Sequence, residues 1–279
     1  MTPNAAMTIA GSDSGGGAGI EADLRTFAAH RVHGTVALTA VTAQSTVGVT
    51  AVAALEPEMV VTQIRTVLDD IEVTAVKTGM LARPRTVEAV ASLAASGELP
   101  PLVVDPVLVS STGHPLMEDG GVTAYRDSLI PFATILTPNL REAALLLGVP
   151  VEELATLPAM ADAARSLCDL GATWVIVKGG HLIVGGATER RSPDVVVGPG
   201  GLTELEGARV ETGNDHGTGC SLAAACAANL ANSVAPLEAI SQAKAFVARA
   251  LAGAASWSIG HGHGPIDHLG WGPDSIEGP

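Results

Sequence analysis

The segment Gly213-Asn214-Asp215-His216-Gly217-Thr218-Gly219-Cys220, followed by Ser221-Leu222-Ala223-Ala224-Ala225, has the residue types and spacing of an anion cradle. Glycines at 217 and 219 let the backbone turn tightly and present successive amides. The alanine-rich run is a strong helix former whose N-terminus carries positive partial charge. Phosphate fits such a terminus. Cys220 falls in the first turn, where the same dipole is expected to lower its pKa and favour thiolate. A base or nucleophile would then stand beside a bound phosphoryl group. The alternative is a packed cysteine behind a glycine-rich loop.

Lys178 follows Val175-Ile176-Val177 and precedes two glycines, so its ammonium is positioned to neutralise phosphate oxygens, or else to reach solvent from a strand end. Asp105 ends one apolar run and Asn139 the next, with Glu142 at i+3 on the same face of a starting helix. Hard oxygen donors of this kind suit Mg2+, directly or through its waters. Asn139 and Glu142 alone also read as a capping box, which leaves Asp105 unexplained. Gln44, after Val41-Thr42-Ala43, is a neutral bidentate group able to read an aminopyrimidine-like edge, or an ordinary loop residue. Gly11-Ser12-Asp13-Ser14-Gly15-Gly16-Gly17-Ala18-Gly19 lacks the Lys-Ser/Thr ending of a phosphate loop. It is expected to close around a small substrate, with Asp23 one helical turn further on.

These residues must be positioned by the elements between them. The runs Met7–Ala10, Val36–Thr39, Ala75–Lys77, Leu102–Asp105, Thr134–Thr137 and Trp174–Lys178 are continuous in hydrophobicity, as in parallel strands buried on both faces. Amphipathic segments lie between them, such as Ile20, Leu24 and Phe27, or Leu140, Ala144 and Leu147. The alternation predicts a three-layer α/β/α architecture with a mostly parallel, doubly wound sheet. All carboxyl ends of such a sheet lie on one edge, so the polar clusters that end the runs converge there. Residues 183–210 and the tail from Gly260 read as loops, the first with a short hairpin near a nucleotide. The chain, residues 1–279, is read as one domain.

Of 279 residues 47% are hydrophobic but only 3% aromatic, so the core is built from Ala, Val, Leu and Ile. A formal charge of −14 repels nucleic acid, and no basic run offsets it. No apolar stretch is long enough to span a membrane, and the N-terminus lacks a signal peptide's charged region, so the expectation is a soluble cytoplasmic protein. Three cysteines without C-x-x-C spacing read as free thiols. Cys226 shares a buried stripe with Leu222 and Leu230, and Cys168 also reads as core. His261, His263 and His268, in a Gly/Pro-rich turn, have no helical metal-site spacing.

TIAGSDSGGGAGIEADLRTF, TAVTAQ, KTGM, DPV, TPNLREA, VKGGH, HGTGC and GHGHGP occur in this order between residue 7 and about residue 268. In this the chain resembles the hydroxymethylpyrimidine/phosphomethylpyrimidine kinases of thiamine biosynthesis, within the ribokinase-like superfamily. The resemblance implies a kinase using ATP and Mg2+, which phosphorylates 4-amino-5-hydroxymethyl-2-methylpyrimidine and then its monophosphate. It implies that Cys220 is the catalytic base and that the amides of Gly217, Thr218 and Gly219 stabilise the transferring phosphoryl group, assisted by Lys178. It further implies that Asp105, Asn139 and Glu142 position Mg2+, and that Gln44 and Asp23 bind the pyrimidine in a pocket shaped by Gly11, Met80 and Val107. Lys178, Thr218 and Gly219 would also hold ATP, and a homodimer is implied.

Asp215 departs from the family pattern, and its carboxylate is expected to raise the Cys220 thiol pKa or repel phosphate. A pyridoxal or pyridoxine kinase is the first alternative, because discrimination between heteroaromatic rings of similar shape is modest. A non-catalytic pyrimidine or nucleotide sensor is the second, opposed by the presence of Cys220, Lys178 and Asp105. Residues 183–210 and the loop after Gln44 are the candidates to close over the site and exclude water.

Overall fold

The β-branched and small apolar runs form six parallel strands at the centre of a nine-stranded sheet, in a computed structural model describing residues 2–109, 116–180, 191–207 and 209–272. In chain order the elements begin β1 (Ala5–Asp13), α1 (Gly19–Ala29), β2 (His33–Ser45), β3 (Gly48–Ala54), α2 (Pro57–Leu68), β4 (Val73–Thr78), α3 (Pro84–Ala95) and β5 (Leu102–Val104). There follow the single turn α4 (Gly121–Ala124), β6 (Ile135–Leu136), α5 (Leu140–Leu147), α6 (Leu157–Asp169) and β7 (Trp174–Lys178). Last come β8 (Asp194–Gly198), β9 (Gly201–Leu205), α7 (Thr218–Ala231) and α8 (Pro236–Gly253).

The sheet order is β3-β2-β1-β4-β5-β6-β7-β8-β9, with β3, β8 and β9 antiparallel to their neighbours. Two apolar layers cover it. On one face Val60 and Ile64 of α2, Val87 and Val90 of α3, Leu146 of α5, and Met160 and Leu167 of α6 are buried against the strands. On the other lie Phe27 of α1, Leu222 to Ala228 of α7, and Ile240 and Phe246 of α8. Helix α7 is apolar all round, as a helix enclosed between sheet and α8 must be.

After β1 the chain passes to β2 on one side and reaches β4 on the other. This is the topological switch point, and ligands bind in the crevice outside the carboxyl ends there. The β1–β2 register shifts between Ala10 and Ser12, a bulge at Gly11 that bends the strand toward that crevice.

Three expectations change in detail. Strand β3 was not among the expected runs; it is an exposed edge whose residues face solvent. The expected hairpin is present as β8 and β9, so residues 194–205 are sheet and not a free loop; 183–190, and His181 of the VKGGH motif, lie outside the described residues. The tail after Gly260 is a strap: the amides of His261 and Gly262 donate to Thr46 Oγ1, and that of His263 to the Thr46 carbonyl. It holds the turn after Gln44 in place. Among the described residues no helix is long and apolar enough to cross a membrane.

Candidate active site

The N-terminus of α7 is built as its glycines suggest. Gly217 caps the helix at φ 86°, and Ser221 N–H closes the first helical bond to the Gly217 carbonyl at 2.8 Å. The first turn leaves the Gly219 and Cys220 amides without an intrahelical partner. The Thr218 amide leans on the Asp215 carbonyl at 3.3 Å, so it is less available than the other two. Opposite the turn, Lys178 Nζ lies 3.3 Å from Asp105 Oδ1, which also accepts from Thr137 Oγ1 at 3.0 Å. A Cβ placed on Gly219 would come within 3.4 Å of Lys178 Nζ and 3.9 Å of Asp105 Oδ2. Cation, carboxylate and helix N-terminus therefore meet at one point.

The predicted apolar pocket residues also meet. A Cβ on Gly11 would come 2.5 Å from the Met80 methyl, so only glycine lets Met80 lie over the β1 bulge. Met80, Ala40 and Ala82 form a small buried cluster with Val107 against it, and Thr39 Oγ1 fixes the Met80 carbonyl at 2.6 Å. Gln44 stands beside this floor. Thr42 Oγ1 lies 3.2 Å from Gln44 Oε1 and 2.9 Å from the Ser12 carbonyl, its one hydrogen shared between these two acceptors. Gln44 Nε2 lies 3.2 Å from His216 Nε2, which itself sits 2.9 Å from Asp13 Oδ2.

His216 and Asp13 were not singled out in the sequence, although both lie in its glycine-rich motifs. They change the reading of the first loop. The amides of Gly15, Gly17 and Ala18 donate to the Asp13 carboxylate at 2.8, 3.0 and 2.9 Å, so the loop closes around its own side chain and not around a substrate. Burial opposes the Asp13 charge, but His216 and these amides hold its carboxyl below the usual range. Asp23 is likewise not on the pocket wall. It is fully buried, with Lys77 Nζ 2.8 and 3.0 Å from its two oxygens and Thr8 Oγ1 donating at 2.6 Å.

The capping box exists: Asn139 Oδ1 accepts from the Glu142 amide at 2.9 Å, and Glu142 Oε2 from the Asn139 amide at 2.8 Å. Burial pushes the Glu142 carboxyl up to about 7, with Lys178 opposing and Asp105 adding to the rise. Hard donors, a carboxylate excess balanced only in part by Lys178, and a shared strand edge make Asp105 and Glu142 a fit for a dication, with Asn139 held by its cap.

The expected thiolate is overturned. Burial pushes the Cys220 thiol up to about 11; Lys77 opposes this, Asp23 and Asp105 add to it, and the Gly19 amide favours the thiolate. A helix dipole acts over one turn, whereas desolvation and two carboxylates act together here. Asp215 is not the cause: its Oδ1 lies 2.7 Å from His263 Nδ1 at the surface. His268 Nε2 sits 2.8 Å from Ser221 Oγ, and Cys226 is buried as expected, whereas Cys168 is half-buried.

The two glycine loops touch at Gly217, where a Cβ would run into the Gly17 carbonyl. Gly217→Ala should therefore cost more than the 1–2 kcal/mol typical of an L residue in the left-handed region, about 2–4 °C per kcal/mol in Tm, with activity lost beyond the loss of folded protein. Gly213→Ala is the control, since a Cβ there meets nothing within 4 Å. Thermal melts with initial rates check the pair; equal behaviour of the two variants would refute the close-approach argument.

A parallel sheet with its switch-point crevice, an anion-binding helix N-terminus and a facing lysine and carboxylate define a ribokinase-like small-molecule kinase. A family model described as phosphomethylpyrimidine kinase matches residues 13–267, and the chain belongs to that family. It is 46% identical over 265 residues to a hydroxymethylpyrimidine/phosphomethylpyrimidine kinase of Rhizobium meliloti (strain 1021), covering 95% of this chain and 96% of that one. It is 44% identical to the thiamine biosynthetic bifunctional enzyme TH1, chloroplastic, of Arabidopsis thaliana, across 94% of this chain and 49% of that protein. Among solved structures, pyridoxal kinase from Staphylococcus aureus in complex with AMP-PCP and pyridoxal superposes with a TM-score of 0.85 at 34% identity, covering 98% of this chain and 96% of that one.

Proposed function

We infer that this chain carries the activity of its family: it transfers the γ-phosphoryl group of ATP to the hydroxymethyl oxygen of 4-amino-5-hydroxymethyl-2-methylpyrimidine, and then phosphorylates the monophosphate to the diphosphate, in thiamine biosynthesis. The observation that carries the site assignment is the meeting of the Gly217–Cys220 turn with Lys178 and Asp105, one strand edge away from the Gly11, Met80 and Val107 floor. The pyrimidine ring lies on that apolar floor, and Gln44, oriented by Thr42 and His216, reads its polar edge. Cys220 takes the hydroxyl proton as the substrate oxygen attacks the phosphorus. The Gly217, Thr218 and Gly219 amides and Lys178 stabilise charge on the transferring group, because in-line phosphoryl transfer asks the protein chiefly for position and field. Mg2+, held by Asp105 and Glu142 with Asn139 beside them, supplies charge neutralisation of the nucleotide phosphates when bound. The same resemblance supports a cytoplasmic homodimer as part of this reading.

The whole-chain likeness to a structure holding pyridoxal favours a second reading, pyridoxal kinase. A coupled ADP-release assay with Mg·ATP, offering hydroxymethylpyrimidine, its monophosphate and pyridoxal separately, decides between them. Turnover on both pyrimidines is expected. Turnover on pyridoxal alone would reassign the substrate, and none on any of the three would favour a sensor.

A further inference from the structure

Two polar side chains beside the pocket have no part in the phosphoryl step: Asp13 at the end of β1, and His216 two residues before α7. Both are largely buried, 3% and 12% exposed, and Asp13 Oδ2 lies 2.9 Å from His216 Nε2. Neither can move freely. The Asp13 oxygens accept from the Gly15, Gly17 and Ala18 amides, and although burial opposes the carboxylate, these contacts and His216 outweigh it. The His216 amide donates to the Gly264 carbonyl at 3.0 Å, and its ring lies so close to Gly17 that a Cβ there would run into it. With the carboxylate ionised, the hydrogen between the two side chains sits on His216 Nε2.

The same nitrogen lies 3.2 Å from Gln44 Nε2, and Thr42 Oγ1 lies 3.2 Å from Gln44 Oε1. Each end of the carboxamide therefore has its own neighbour. His216 directs its hydrogen to Asp13, whereas the Thr42 hydroxyl has one hydrogen for two acceptors, so the two flanks differ in donor character. Half a turn of the amide exchanges these neighbours, and its two orientations differ in energy for that reason. A carboxamide reads opposite patterns in the two. A 4-aminopyrimidine edge presents an acceptor nitrogen beside a donor amine, and a 4-oxo edge presents an N–H donor beside an acceptor oxygen. A fixed amide pairs with one edge and is mismatched twice against the other, whereas a freely turning amide pairs with both.

We propose that Asp13 and His216 are specificity-determining positioning residues, which hold the Gln44 carboxamide in one orientation so that the site takes a 4-aminopyrimidine and rejects its 4-oxo counterpart. The proposal rests on the reading of the substrate as a pyrimidine held by Gln44. Asp13 touches no substrate; it acts through His216, and His216 acts through Gln44. The glycine-rich loop then has a role of its own, because its amides anchor the carboxylate that anchors the imidazole.

The test is the ratio of kcat/KM for 4-amino-5-hydroxymethyl-2-methylpyrimidine to that for 5-hydroxymethyl-2-methylpyrimidin-4-one, measured by ADP release on one preparation of each full-length variant. Such a ratio is independent of the folded fraction, so a variant that folds poorly still reports. The wild type should favour the amine by about 10²-fold or more, the effect of two mismatched hydrogen bonds. His216→Phe and Asp13→Asn should each lower the ratio about tenfold or more, the 4-oxo compound losing less rate than the amine or gaining it. His216→Gln, whose amide can place a donor where Nε2 stood, should restore most of the ratio. In Gln44→Ala the ratio should already be low, and adding His216→Phe should leave it unmoved. A merely structural role would slow both substrates alike and leave the ratio where it was. A wild-type ratio near one, a wild-type value retained in both His216→Phe and Asp13→Asn, or a further fall when His216→Phe is added to Gln44→Ala would overturn the proposal. Wild-type turnover on pyridoxal with none on either pyrimidine would overturn the substrate reading and the proposal with it, a pattern that no other outcome shares.

Discussion

Cys220→Ala lowers kcat by about 10²–10⁴-fold, the span of a positioned general base, and leaves the affinity for the pyrimidine within a few-fold of the wild type. In the proposed reading the substrate ring rests on Gly11, Met80 and Val107 and is read by Gln44, and the packing of these residues does not depend on the thiol. The wild-type pH profile should share the signature of the base. With the thiol pushed up to about 11, the thiolate fraction grows about tenfold per pH unit through the neutral and mildly alkaline range, so kcat/KM rises with pH there. Glu142, drawn up to about 7, adds an ascending limb below it as its carboxylate forms. Cys220→Ala should retain the lower limb and lose the upper one.

Cys226→Ala is the matched control. Its thiol is fully buried on α7 and pushed up to about 12 by burial, and it faces the core between Leu222 and the sheet. The variant should lose about 1 kcal/mol of stability and keep its turnover per folded molecule. Equal losses of turnover in the two variants would remove Cys220 from the chemistry.

What could be read from the sequence was what depends on neighbours along the chain. The strand runs are continuous because both faces are covered, so β1, β4, β5 and β7 were visible as strands, and their shared edge followed from parallel pairing. The position of Cys220 in a first helical turn followed from its glycines. What could not be read was the field that distant segments assemble around it. Lys77 and Asp23 are 54 positions apart, and each alone reads as an ordinary strand lysine or a first-turn acid. The thiol shift therefore runs opposite to the sequence expectation: the local dipole is written in the motif, whereas burial and the carboxylates of Asp23 and Asp105 come from packing. Asp13 was hidden for a similar reason. A glycine-rich loop around an acid looks like a place for a ligand until its amides are seen to bind that acid.

Lys178→Met carries the second large effect, a fall in kcat of about 10²–10³-fold, as when one preorganised donor is removed from a transition-state charge site. The ammonium is mostly buried, with its Nζ beside Gly219 and 3.3 Å from Asp105 Oδ1, so water does not replace it readily. Its loss also leaves Asp105 and Glu142 without their cation. Lys178 is the group that restrains Glu142, so the Glu142 carboxyl rises above about 7 in the variant and its limb of the pH profile moves to higher pH. In the proposed Mg2+ role of Asp105 and Glu142, a dication would meet less repulsion from a fixed charge, and at pH above the Glu142 limb the Mg2+ concentration that gives half-maximal rate should fall even as the maximal rate collapses. Lys178→Arg is not a rescue, because a guanidinium is broader than the gap beside Gly219 and should crowd the turn that carries Cys220. Initial rates over Mg2+ and pH series check all three statements. A folded Lys178→Met with kcat within about threefold of wild type would separate this lysine from the phosphoryl group and leave it the role of a counter-ion to Asp105.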